Sequence, residues 1–133
     1  MNRLLALAPV DASSLRLCTR MGVRFECDLN DHVGRHVYYS IFERRDSLRL
    51  SRIVKPGQVI VDAGANIGYY SLLFAKWLRG SGAVHAFEPF PNTAEKFLRN
   101  LELNPQLRQT VHLHQLALSD FSGTVAMAEM ICD

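Results

Sequence analysis

Val59-Ile60-Val61 is a run of β-branched residues that breaks into a loop of small ones, Asp62-Ala63-Gly64-Ala65-Asn66-Ile67-Gly68. Apolar residues then return at helical spacing, at Ile67, Tyr70, Phe74, Trp77 and Leu78. The run reads as a buried parallel strand and the spacing after it as a helix, so the unit is strand, tight loop, helix. A ligand of nucleotide size belongs at such a loop. Gly64 and Gly68 carry no Cβ, so a ligand can approach the backbone, and Asn66 is the non-glycine residue that best tolerates a left-handed conformation. The loop N–H groups and the helix N-terminus are expected to face one space and to suit a carboxylate or phosphate there.

A dinucleotide fingerprint reads G-x-G-x-x-G, whereas this chain offers Asp62-x-Gly64-x-Asn66-x-Gly68, with a carboxylate two residues before the first glycine. Beside a pyrophosphate Asp62 is poorly placed. Beside S-adenosylmethionine it is well placed, because that cofactor carries an ammonium and a sulfonium as well as a carboxylate. Further on, Ala83-Val84-His85-Ala86-Phe87-Glu88-Pro89 reads as a second strand ending in an acid. A carboxylate at that point can accept hydrogen bonds from both ribose hydroxyls, as it does in NAD sites. Glu88 therefore points to a ribose and Asp62 to the methyl donor.

The segments Lys55-Pro56-Gly57-Gln58, Asp62 through Ser71, Ala86-Phe87-Glu88-Pro89 and Asn100-Leu101-Glu102-Leu103-Asn104, followed by Ala117-Leu118-Ser119-Asp120 and Gly123, occur in an order and spacing that resembles the FkbM family of S-adenosylmethionine-dependent methyltransferases. The resemblance covers about residues 22 to 131. It implies S-adenosylmethionine as cofactor, with Asp62 near its methionine end, the backbone of Gly64, Ala65, Asn66 and Gly68 around it, and Glu88 on the ribose. It also implies transfer of a methyl group to a hydroxyl of a small molecule, sugar or lipid by direct displacement. No catalytic residue is assigned, because no acceptor base is identifiable.

The 133 residues are 48% hydrophobic and 21% charged, a composition that can bury a core. A net charge of +2 does not imply a nucleic-acid partner. No apolar run approaches the ~20 residues that a membrane-spanning helix needs. Residues 1–10 hold one basic residue and a brief apolar run, too little for a signal peptide, and read as a poorly ordered leader. Cys18, Cys27 and Cys132 are odd in number, widely spaced and without a C-x-x-C pair. They read as free thiols in a reducing compartment, hence a cytoplasmic location, and give no zinc site.

Upstream of the glycine loop, Leu15 to Thr19 and Val23 to Leu29 flank Met21-Gly22 as the arms of a hairpin. Val23, Phe25, Cys27 and Leu29 form its buried face. Asn30 through Gly34 reads as a loop. Ser40-Ile41-Phe42-Glu43 has the spacing of a capping box opening a helix to about Val54, with Phe42, Leu50, Ile53 and Val54 on its apolar side. Arg44, Arg45, Arg49 and Arg52 on this helix read first as a solvated face, and second as an anion-facing stripe for an acidic substrate or phosphorylated carrier. Glu43 has two readings as well: the acid of the capping box, or, by the FkbM resemblance, a pocket residue facing the cofactor.

Downstream, the glycine-loop helix ends at Gly80-Ser81-Gly82. A second helix starts near Pro91-Asn92 with Ala94, Phe97, Leu98 and Leu101 on one face, and Pro105 stops it. Thr110 to Ala117 alternates as a third strand. His112 and His114 share one of its faces, without the Cys, Asp or Glu that would complete a metal set. Leu116 and Ala117 lie at its carboxyl end, where an adenine ring sits by analogy with doubly wound sheets. Ser122 to Met130 reads as a further turn and strand.

The expected fold is α/β: a Rossmann-like class I methyltransferase three-layer sandwich, truncated after about the third sheet strand, with an N-terminal β-hairpin and helix. Residues 1–55 form the leader, hairpin and helix, and residues 56–133 the cofactor-binding half of the methyltransferase domain. The expected end near the third strand suggests a truncated product, a domain fragment or one part of a split protein. It leaves the first strand's edge open to pairing or self-association. Two other readings of the whole chain stand beside methyl transfer: a non-catalytic fragment that keeps part of the cofactor cradle, and an NAD-dependent oxidoreductase, which Asp62 and the broken dinucleotide spacing disfavour.

Overall fold

The computed structural model describes residues 14–128; the leader, Cys132 and the end of the expected last strand lie outside them. Strict alternation produces the hairpin. Strands β1 (Leu15–Arg20) and β2 (Val23–Asp28) pair antiparallel across Met21-Gly22. Val23, Phe25 and Cys27 are fully buried against the later elements. Each large side chain so buried stabilises the docked hairpin by roughly 1.5–3 kcal/mol relative to exposure.

Two short helices follow. α1 (His32–Tyr38) occupies part of the stretch expected to be a loop. Asp31 caps it by accepting a hydrogen bond from the Val33 N–H, and Gly34 lies within it because a Cβ there would come within 2.5 Å of the Asp28 carbonyl oxygen. The glycine that reads as a loop signal is therefore a packing requirement of a helix against β2.

α2 (Arg44–Ile53) begins later than the capping box predicts. Glu43 is the N-cap residue itself, in a left-handed conformation with φ +38° and no side-chain cap bond, so the Ser40–Glu43 box does not form. The helix docks through Ser47, which is fully buried and lies 3.2 Å from the Tyr69 hydroxyl. A small residue lets the two helices approach, and Ile53, expected on the buried side, is left exposed. Arg44, Arg45, Arg49 and Arg52 are exposed as well, with Arg49 only loosely paired to Asp46 at 3.5 Å.

The remaining chain alternates strand and helix: β3 (Val59–Ala63), α3 (Tyr69–Trp77), β4 (Ala83–Phe87), α4 (Pro91–Glu102), a 3₁₀ turn (Pro105–Leu107) and β5 (Val111–His114). The strands form a parallel sheet in the order β3-β4-β5. Right-handed crossovers in one direction put both helices on one face of such a sheet. Ile60, Val84, Ala86, Val111 and Leu113 point into the common core with Leu72, Leu73 and Phe97. The opposite face carries Val59, Val61, His85, Phe87, His112 and His114, with Val59 68% and Val61 61% exposed. Among the described residues β3 is an edge strand.

Three further boundaries differ from expectation. β5 stops at His114, so Leu116 and Ala117 lie beyond the strand, where the Leu116 N–H turns back onto the His114 carbonyl. Ser122 to Ala128 has no strand; Val125 and Met127 are exposed and no sheet edge receives them. Leu98 is exposed on α4, whose buried stripe is Ala94, Phe97, Asn100 and Leu101. Among the described residues, no helix is long and apolar enough to cross a membrane.

Candidate functional site

The carboxyl ends of β3, β4 and β5 converge on the glycine loop. The Gly64 and Ala65 N–H groups both donate to the Phe87 carbonyl at 2.9 Å. The Asn66 N–H donates to Glu88 Oε2 at 2.9 Å, and the Phe90 N–H donates to Glu88 Oε1 at 3.0 Å. Glu88 is thereby 4% exposed, and each of its oxygens keeps a lone pair beyond the amide that it binds. Asn66 has φ +51°, the left-handed conformation expected of it, and its Oδ1 accepts the Ile67 N–H at 2.8 Å. The Gly68 N–H donates to the Ala65 carbonyl.

This network corrects one expectation. The N–H groups of residues 64–68 are satisfied within the protein and do not form an open anion cradle. Nor is the start of α3 free of anions. Ser71 Oγ donates to Asp62 Oδ2 at 2.6 Å, and the Ser71 N–H bonds to the same carboxylate, so Asp62 occupies the first turn of the helix. Burial pushes the Asp62 carboxyl above its ordinary range, an effect that the Ser71 hydrogen bonds partly offset. The crevice therefore presents two carboxylates with donors drawn inward. Such a surface accepts hydroxyls and cations and repels a pyrophosphate.

The two loop glycines have different tasks. A Cβ on Gly68 would come within 2.8 Å of the Phe97 ring, so this glycine, at φ +86°, lets α3 and α4 close on each other. A Cβ on Gly64, at φ +75°, would meet nothing within 4 Å. Its missing side chain leaves open space in front of the backbone, as a closely approaching ligand requires.

Leu116 and Ala117 are brought beside Glu88 because the His114 carbonyl accepts both the Glu88 N–H, at 3.1 Å, and the Leu116 N–H, at 2.9 Å. A cleft of about 450 Å³ opens there, lined among others by Pro89, Phe90, Leu116, Ala117, Phe121 and Met127. Its apolar walls suit a planar ring. Glu43 is not brought to the loop. It is exposed at the start of α2 beside the Tyr70 hydroxyl, whose ionisation is pushed up by burial and by that carboxylate. A second cavity, about 340 Å³, lies between the hairpin and α2, with Arg20, Phe42, Arg44 and Tyr69 in its wall and none of the expected cofactor residues.

Three side chains that the sequence did not mark as site residues matter to the loop. Ser71 holds Asp62. Phe97 sets the room at Gly68. Asn100, fully buried, donates to the Ile67 carbonyl at 2.9 Å and accepts the Glu26 N–H at 2.7 Å, tying the loop to the hairpin. Asn104, one turn on, binds both backbone groups of Arg24 and the Asn100 carbonyl. The available signal was the placement of two asparagines four residues apart on an otherwise apolar helix face, because a buried amide needs partners. The histidines behave otherwise: His85 stacks with His112 and His114 on the open sheet face. Among the described residues no group of three or more His, Cys, Asp or Glu is placed to hold a metal.

Comparison with known proteins gives the geometry a family. Over 99 residues the chain is 34% identical to the 31-O-demethyl-FK506 methyltransferase FkbM of Streptomyces tacrolimicus, covering 74% of this chain and 36% of that protein. It is 26% identical over 102 residues to the tRNA(Phe) (4-demethylwyosine(37)-C(7)) aminocarboxypropyltransferase of Pyrococcus horikoshii, covering 77% of this chain and 34% of that one. The chain thus spans about a third of the length of these relatives. Among solved structures, the fold matches M. jannaschii TYW2 in complex with AdoMet, with a TM-score of 0.62 at 24% identity over 83% of this chain and 45% of that one. The sequence model of the TRM5/TYW2 methyltransferase domain matches residues 17–131. The chain belongs to the TRM5/TYW2 methyltransferase domain family and shares the fold of the AdoMet-bound structure.

Proposed function

We propose that this chain forms the cofactor-binding part of an S-adenosylmethionine-dependent O-methyltransferase of the FkbM type, acting on a hydroxyl of a small molecule, sugar or lipid. The observation that carries the cofactor side is the donor-poor, doubly acidic crevice of Asp62 and Glu88 in front of the open Gly64 backbone. The FkbM relative, whose name places its acceptor at an oxygen, supports the acceptor side.

When bound, S-adenosylmethionine supplies a methyl group on a sulfonium, open to in-line attack. Asp62 pairs with the ammonium of the methionine end, which favours the ionised carboxylate and reverses the effect of burial. Glu88 offers its second lone pairs to the ribose hydroxyls while its first ones keep the loop in place. Leu116 and Ala117 flank the adenine, and the Gly64 backbone lets the cofactor sit close. The protein's contribution to methyl transfer is then alignment and exclusion of water.

A tRNA acceptor is the second reading. It is favoured by the family and by the aminocarboxypropyltransferase relative, whose name gives tRNA(Phe) as its substrate. The exposed arginines of α2 would serve phosphate contacts in that case.

Calorimetric titration tests the cofactor assignment. Saturable binding of S-adenosylmethionine, weakened in Asp62→Asn and Glu88→Gln, is expected, and binding of NAD alone overturns it. Transfer of radiolabelled methyl to hydroxyl-bearing small molecules, with a tRNA transcript in parallel, then separates the two acceptor readings.

A further inference from the structure

Cys18 and Cys27, nine residues apart in the chain, meet on the core face of the hairpin with their Sγ atoms 3.6 Å apart. The register explains the meeting. Cys18 lies opposite Phe25 and Cys27 opposite Arg16, so the thiols are diagonal neighbours on one face. Their surroundings differ: Cys18 is part-exposed, whereas Cys27 is fully buried. We infer that this pair is a redox-active dithiol, a modification site at which a hydroperoxide converts Cys18 and Cys27 into a disulfide within the hairpin.

The chemistry follows the asymmetry. The Cys27 S–H donates toward Cys18 and, with the nearby Arg20 guanidinium, holds the Cys18 thiol down at about 7 against the opposing effect of burial. The same hydrogen bond, with burial, pushes Cys27 up. Cys18 is therefore the accessible thiolate, the form that reacts. Its sulfur attacks the terminal peroxide oxygen, the O–O bond breaks, and Cys18 becomes a sulfenic acid while the other oxygen leaves as hydroxide from hydrogen peroxide, or as alkoxide from an organic hydroperoxide, and is protonated to water or the alcohol. Conversion to the sulfenic acid removes the thiolate charge that held the Cys27 proton. Cys27 then loses its proton, attacks the Cys18 sulfur and displaces the second oxygen as water. Two electrons pass from the thiols to the peroxide. The sulfurs must approach from 3.6 Å to about 2.05 Å, and because the two residues are diagonal rather than directly opposite, closing the bond requires the strands to shift as well as the side chains to rotate.

The test uses the full chain in a Cys132→Ser background, so that the remaining thiols are the described pair. With hydrogen peroxide as the probe, intact mass should fall by two hydrogens and peptide mapping should recover a Cys18–Cys27 cross-link that a dithiol reductant reverses. Oxidation of Cys18 to the sulfinic acid without a cross-link, or covalent dimers in place of it, overturns the proposal. A second measurement does not depend on oxidation. The pH at which iodoacetamide alkylation of Cys18 is half-maximal should lie near 7 and move upward by a unit or more, toward about 8.5, in Cys27→Ala. An unchanged midpoint refutes the contact between the thiols.

Discussion

Asn100 joins two parts of the chain that lie far apart in sequence, and replacing it by alanine should be disproportionately costly. Its side chain gives one hydrogen bond to the Ile67 carbonyl of the glycine loop and takes one from the Glu26 N–H of β2, at 2.9 and 2.7 Å. No exposed surface remains at the residue, so water cannot replace either bond without rearrangement. Each buried backbone group left without a partner costs about 1–3 kcal/mol, which makes about 2–6 kcal/mol for the pair. That is a large part of the roughly 5–15 kcal/mol that holds a domain folded.

Urea denaturation of wild type and Asn100→Ala reads this loss directly as a fall in midpoint at constant slope. Asn104→Ala is the comparison. It frees three backbone partners, Arg24 N–H, Arg24 C=O and Asn100 C=O, none of them in the loop. Both variants should lose stability, but only Asn100→Ala should also weaken S-adenosylmethionine binding when measured well below either midpoint. A loss under about 1 kcal/mol for Asn100→Ala would show that the bonds contribute no more than water would. Equal loss of affinity in the two variants would refute the role in positioning the loop.

The two loop glycines should separate in the same assays. Gly68→Ala drives a methyl into the Phe97 ring at positive φ and should cost about 2–5 kcal/mol by denaturation, overpacking and left-handed strain together. Gly64→Ala meets no neighbour and should cost only the strain, about 1–2 kcal/mol, while reducing cofactor affinity measured by calorimetry. Glu88→Gln turns an amide group toward one of two backbone N–H donors, so thermal unfolding should show a loss of about 1.5–3 kcal/mol together with weaker binding. Asp62 predicts a pH dependence. Because its folded value is raised, its favourable contribution to folding is present in full below the ordinary value of 3.8 and is lost as pH rises through the folded value. Denaturation midpoints across that interval should show this slope, and Asp62→Asn should remove it. Affinity for S-adenosylmethionine should rise over the same interval as the carboxyl ionises.

The strand-loop-helix at Val59 to Trp77, the second strand ending at Glu88, the helix opened by Pro91 and the hairpin arms were all legible in the sequence, because each depends on spacing within a few residues. So was the left-handed Asn66, since few other residue types accept that conformation without strain. The elements that were misread were decided by distant partners. The loop signal at Gly34 became a helix because β2 lies against it, and the capping box at Ser40 to Glu43 gave way when Ser47 docked on Tyr69. Of the strand expected over Ser122 to Met130, the described part, residues 122–128, stays irregular although the β3 edge is open.

The site divides in the same way. Sequence alone singled out Asp62, Gly64 and Glu88 as candidates, because an acid before a glycine loop and an acid at the end of the next strand form a local pattern. It could not show which of their hydrogen-bonding groups would stay available. Only the tertiary structure drew the loop N–H groups inward onto Phe87 and Glu88, placed Asp62 on the first turn of α3 and left the space before Gly64 open. The physical reason is that a buried donor must be satisfied by whatever acceptor the fold brings near, and that acceptor can lie more than twenty residues away in the chain.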